Sequence, residues 1–248
     1  MLTNGGSAGR IMAALLIGAG CAVGGWFIGQ GVERFRTADR TVVVKGLAER
    51  PVKSDYAVWG LAFRRPGDDF AKVQTELLAD RERVVEFLKG QGFTEAEIEP
   101  RPLQVTDRLA RDYSDPQSRF RYLGVGTVVV KSARVDAVAD AANRVDPLVK
   151  AGVTLSGEPG AEGTGGPPRY LLRGFNELKP QILADAVKNA REQAQRFAQD
   201  AGARVGRLKS ANQGVIRILD DDGQDHDTTN RTLMKRVRVV STLEFALD

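Results

Sequence analysis

The sequence predicts a mixed α/β chain of the α+β type. An N-terminal transmembrane helix precedes a domain of ββα repeats, with an antiparallel or mixed sheet carrying three main helices. Three observations predict it. Residues 11–29 (IMAALLIGAGCAVGGWFIG) contain no charged side chain. Beyond residue 40, pairs of strand-like runs alternate with long runs of helical periodicity. Each helical run stops at a glycine, at Gly92, Gly152 and Gly202, a rhythm of roughly 50–60 residues.

The first element is the apolar run. A helix of about 19–21 residues spans about 30 Å, the depth of a bilayer's hydrocarbon layer. Residues 11–31 therefore read as a membrane anchor, after a short cytoplasmic N-terminus of residues 1–10 and before a linker of residues 32–40. Trp26 and Phe27 stand near its far end, where aromatic rings favour the interface. Gly20/Gly24 and Gly25/Gly29 are small-xxx-small pairs of the kind that lets membrane helices approach closely. Two other readings compete. A cleaved signal peptide could use the small residues at 18–22, but cleavage there leaves Trp26, Phe27 and Ile28 at the new terminus. A lipoprotein could use Cys21, but Gly18 stands where a large aliphatic side chain is expected. Arg10 on one side balances Arg34, Arg36 and Arg40 on the other, so charge alone leaves the orientation open.

Residues 41–248 make up the folded domain. Residues 41–50 are rich in β-branched side chains and close at Pro51, and residues 55–65 (DYAVWGLAFRR) are apolar on both faces, as in a strand with neighbours on each side. Asp68 and Asp69 suit a helix N-terminus. Phe70, Val73, Leu77, Val84 and Leu88 then recur at helical spacing until Gly90 or Gly92. Thr94 and Glu97 have capping-box spacing. Extended segments follow at 98–106 and 120–131, around a polar loop at 107–118.

A second helix is expected over 133–150, kinked or restarted at Pro147. Strands at 153–157 and 169–176 flank a Gly/Pro loop, 158–168, that cannot pack a core. The third helix, 177–201, repeats Ala186, Ala190, Ala194 and Ala198 on one face, flanked by Leu183, Val187 and Phe197. That row permits close approach either to the chain's own sheet, the preferred reading, or to a partner subunit. Strands at 207–219 and 232–247 close the chain. In the last, Val237, Val239, Leu243 and Phe245 alternate with Arg236, Arg238, Thr242 and Glu244.

Composition narrows the function classes. The chain has 248 residues, 42% hydrophobic and 27% charged, enough for a packed core. Its 36 basic and 32 acidic residues give a net charge of +4 spread along the length. Nucleic-acid binders concentrate positive charge on one stripe, so nucleic acid is not an expected partner. The lone cysteine, Cys21, allows no disulfide within the domain. The densest acidic cluster spans 220–227, where Asp220, Asp222, Asp225 and His226 could contribute ligands to a divalent cation. The EF-hand pattern fails there, and a solvated hairpin loop is the preferred reading. No phosphate-cradling loop precedes a helix, and a nucleophile-and-base pair would have to use the histidine or cysteine just described. No catalytic residue or cofactor is therefore assigned, and the chain is not expected to be an enzyme.

One further pattern lies in the order of features. Val42-Val43-Val44-Lys45-Gly46 followed by Pro51, Asp55 and Ala57, then Gly92, Ile98 and Leu103, then Tyr122 with Thr127-Val128-Val129-Val130, resembles the SIMPL-domain family. The alanine-rich helix leading to Gly202 and Gly206 and the closing Val237-Arg238-Val239 strand extend the resemblance to residues 41–247. It implies a bacterial protein of the inner membrane with its domain in the periplasm, a tendency to ring or channel-like homo-oligomers, and a link to stress tolerance. No agreed catalytic residues exist in that family to carry over. Relatives often carry a cleavable signal, a departure from the retained anchor read here. The expectation is thus a membrane-anchored, periplasm-facing, non-enzymatic assembly or interaction protein. The bilayer is its partner through residues 11–29. The alternative is a periplasmic metal- or small-ligand-binding domain using the 220–227 loop.

Overall fold

The computed structural model describes residues 17–29, 40–110, 119–156, 166–221 and 230–248. Residues 17–29 form an exposed helix, α1. The rest of the expected anchor, with residues 1–10 and 32–39, lies outside the described residues. No helix among the described residues is long and apolar enough to cross a membrane. The chain then divides into two compact units.

The larger unit comprises Glu49–Ile182 and Ile216–Arg238. Its sheet is built on β2 (Tyr56–Gly67), flanked on one side by β5 (Tyr122–Ser132) in an antiparallel register from Ala57 opposite Ser132 to Gly67 opposite Tyr122. On its other side β2 pairs with two short antiparallel strands, β6 (Leu155–Ser156) and β7 (Arg169–Leu171). Being central, β2 buries Ala57, Trp59, Leu61 and Phe63 on one face and Ala62 on the other, as its two apolar faces predict. β3 (Ile98–Pro100) and β4 (Gln104–Asp107) both pair with β5.

The expected single strand over 98–106 is therefore split. Pro100 and Pro102 have no amide hydrogen to give a ladder, and the gap falls at 101–103. The helix α2 (Phe70–Gly90) starts at Asp69, whose side chain accepts from the Lys72 amide at 3.0 Å. It buries Val73, Leu77, Val84 and Leu88. Each such side chain contributes about 1.5–3 kcal/mol on burial. The capping box at Thr94 and Glu97 is present and opens a short 3₁₀ turn, Glu95–Glu97. The second helix is interrupted into α3 (Val135–Ala142) and α4 (Asp146–Lys150), with Pro147 in the first turn of α4.

The three glycine stops share one geometry. Gly92, Gly152 and Gly202 have φ of 86°, 80° and 68°. Their amides donate to the carbonyls of Lys89, Val149 and Gln199, while the next amides, of Phe93, Val153 and Ala203, reach back to Leu88, Leu148 and Ala198. This is the paired capping bond that satisfies the last carbonyls of a helix, and it needs a left-handed residue.

The smaller unit takes in residues up to Ala48, Leu183–Val215 and Val239–Asp248. The strands β1 (Thr41–Lys53), β9 (Met234–Leu247) and β8 (Val205–Asp220) lie in the order β1-β9-β8. Arg204 and Asp248 exchange both backbone bonds at 2.9 Å, which marks β8 and β9 as antiparallel. The pairing departs from the expected single sheet: β1 joins β9, and β2 heads a separate sheet. β1 also runs through Pro51 instead of closing there, which an edge strand tolerates.

The helix α5 (Phe175–Asp200) begins two residues before its expected start, at residues read as strand. Within the smaller unit Ala186, Ala190, Ala194 and Ala198 of α5 are all buried. They face β1. A Cβ added to Gly46 would overlap the carbonyl oxygen of Ala186 and lie 2.7 Å from Ala190 Cβ. The row of methyl groups and the glycine let backbone approach backbone, as preferred for packing on the chain's own sheet. Val44, Leu243 and Phe245 complete this small core, with Val187 and Phe197 exposed.

Candidate functional site

Of the candidates singled out from sequence, Asp220 stands at the end of β8. Asp222, Asp225 and His226 lie outside the described residues. Asp220 is buried. Its carboxylate accepts from the Lys235 ammonium in a close ion pair, and from the Arg231 amide at 2.9 Å. Lys235 is 1% exposed. Asn230, the one non-glycine residue with positive φ among those described, places its side-chain oxygen 3.5 Å from the same ammonium. Thr232 Oγ1 accepts from the Asp221 amide at 3.1 Å and donates to the Met234 carbonyl at 2.7 Å.

A buried cation already neutralises Asp220, so a metal ion could bind that carboxylate only by displacing it. The arrangement fixes the register of the hairpin. Among the described residues no group of three His, Cys, Asp or Glu side chains is placed to hold a metal ion. Cys21 is exposed on α1.

Lys235 was not legible as a core residue. Its parity in β9 is that of Val237 and Val239, both buried, but a lysine beside two arginines reads as surface. The one local signal is an acid, Asp220, at the mirrored end of the partner strand.

Three further polar clusters emerge. Asp80, fully buried on α2, is gripped by Arg65 through Nε and through Nη2 at 2.8 Å, and by Arg83 at 2.9 Å. The same Arg65 Nη2 donates to the Gly152 carbonyl at 2.7 Å, fastening a helix end to the sheet. The hydrogen bond to Asp80 raises the Arg65 pKa above its ordinary value, so the guanidinium is permanently charged. Glu97 receives Arg134 Nη2 at 2.6 Å, Ser132 Oγ at 2.5 Å and the Thr94 amide at 2.9 Å. These bonds, Arg134 first, hold its carboxyl down at about 2. Asp55 accepts from the amides of Arg173 and Gly174 at 2.7 and 2.6 Å, capping the start of α5 from 118 residues away in sequence. Arg173 lies over the Tyr56 ring at 3.2 Å.

Each of these carboxylates is bound to donors on neighbouring elements, which suits holding the fold together.

The most exposed strand among the described residues is β8. Residues 207–215 are all exposed, including Leu208 at 46% and Val215 at 73%. Residues 42–239 match the family SIMPL, described as a protein of unknown function (DUF541). No curated protein matches the chain.

Proposed function

The chain belongs to the SIMPL family, and from that premise we propose that it is a membrane-anchored, periplasm-facing assembly protein. In this reading it works by binding partners and copies of itself, and it catalyses no reaction. The observation that carries this reading is the charge-free run at 11–29, whose described part is a helix with Ile17, Val23, Trp26, Phe27 and Ile28 each 56–70% exposed. A helix so apolar on its surface is costly in water and favourable in lipid. As a helix at 1.5 Å per residue, a run of that length would span about 29 Å, the depth of the hydrocarbon layer. The polar clusters of the folded body, each tied up in binding its own elements, fit a rigid scaffold.

Fractionation of expressing bacterial cells tests the placement. The full-length protein is expected in the inner membrane, resistant to carbonate extraction, and digested by protease added to spheroplasts. Recovery in a soluble fraction, or protection from that protease, would overturn it.

A further inference from the structure

We propose that Lys235 and Asn230 join in an intramolecular amide bond, formed by the chain itself with Asp220 as the proton carrier. The bond closes once and turns over no substrate, so it lies beyond the scaffold role above.

Three side chains make the site. Lys235, in the first turn of sequence of β9, is fully buried, and its ammonium is held by Oδ1 of the equally buried Asp220. The other oxygen of Asp220 accepts at 2.9 Å from the amide of Arg231, the residue next to Asn230. Asn230 Oδ1 lies 3.5 Å from the same ammonium. The Asn230 backbone is fixed: its φ is 42°, and its carbonyl accepts from the Tyr170 amide at 2.6 Å. An amine, a carboxyl group and a carboxamide therefore meet out of water.

Burial gives that combination its chemistry. Lys53, Lys89 and Lys131 make their ion pairs at the surface, where water holds both charges. In a dry site the two charges lose their solvation, so a proton can pass along the hydrogen bond from nitrogen to oxygen and leave a neutral amine, the nucleophilic form. Asn230 offers it an uncharged carbonyl carbon, Cγ, directly behind the oxygen already facing Lys235. Attack by Nζ forms the new carbon–nitrogen bond and opens the carbonyl. Asp220 passes its proton to the amide nitrogen of Asn230 and takes one from the attacking nitrogen. The carbonyl re-forms, the bond from Cγ to that amide nitrogen breaks, and ammonia leaves, carrying off the last proton as ammonium.

The test is mass spectrometry of the full-length protein digested with trypsin, which cuts after Arg217, Arg231, Lys235 and Arg236. We expect residues 218–231 and 232–236 to appear as one joined species, uncut after Lys235 and lighter than the two separate peptides by one ammonia, about 17 Da. Asn230→Gly keeps a residue suited to positive φ and removes the carboxamide, so its peptides should separate and Lys235 should be cut. Asp220→Asn removes the proton carrier and should also give separate peptides; if it fails to fold, the other two digests decide. Separate peptides of full mass from the unmutated chain would overturn the proposal, as would a joined species from Asn230→Gly. A joined species lighter by one water, about 18 Da, would put the bond on Asp220 and overturn the assignment to Asn230.

Discussion

The two units achieve burial by opposite means. The larger one packs bulky side chains: Trp59, Phe63, Leu77, Leu88, Phe93 and Tyr170 belong to one continuous core. The smaller one packs few, chiefly Leu243 and Phe245. Its centre is Val44, Ala190, Ala194, Leu243 and Phe245, and its cohesion comes from backbone closeness at Gly46. The larger unit should therefore suffer when side chains shrink, and the smaller one when they grow.

The sharpest way to break the comparison is Gly46→Val. Its added Cβ has no space against a backbone carbonyl, which cannot swing aside. We expect a loss of about 4 kcal/mol or more in urea unfolding. A loss below about 1 kcal/mol, typical of a surface change, would mean that the helix is not pressed on β1.

Next in size is Asp80→Ala, which strands a half-buried guanidinium. A loss of about 3–4 kcal/mol is expected, and the second change Arg65→Met should restore part of it. In the larger core, Leu88→Ala should cost about 2–3 kcal/mol through the cavity it leaves. The matching reduction in the smaller unit, Ala194→Gly, should cost only about 1 kcal/mol, mostly helix propensity.

A further small effect is pH-dependent. Glu97 has a folded-state pKa of about 2, below its unfolded value of 4.5, so its contribution is complete above pH 4.5 and fades as pH falls toward 2. We expect Glu97→Gln to cost about 1–2 kcal/mol at neutral pH and progressively less in acid. Denaturant midpoints measured from pH 7 to pH 2 in both proteins would read the convergence.

Legibility followed locality. The glycine stops, the Asp69 cap and the Thr94–Glu97 box are short-range chemistry, and each stands where the sequence places it. The alanine row was readable because period four on a helix marks one face. The split between β3 and β4 follows from Pro100 and Pro102, which lack the amide hydrogens a continuous strand would need. The start of α5 was not legible, because the residue that caps it, Asp55, lies far away in sequence. Strand partnership was hidden for the same reason: nothing local tells β1 to join β9 while β2 joins β5. Lys235 was hidden by chemistry, since a buried lysine declares itself only once its acid is beside it.

The claim on which this account depends most is self-assembly. Light scattering of the full-length protein extracted in mild detergent, corrected for bound detergent, measures it directly. The account predicts a protein mass that is a multiple of 26.9 kDa, holding on dilution. A single-chain mass at every concentration would contradict it.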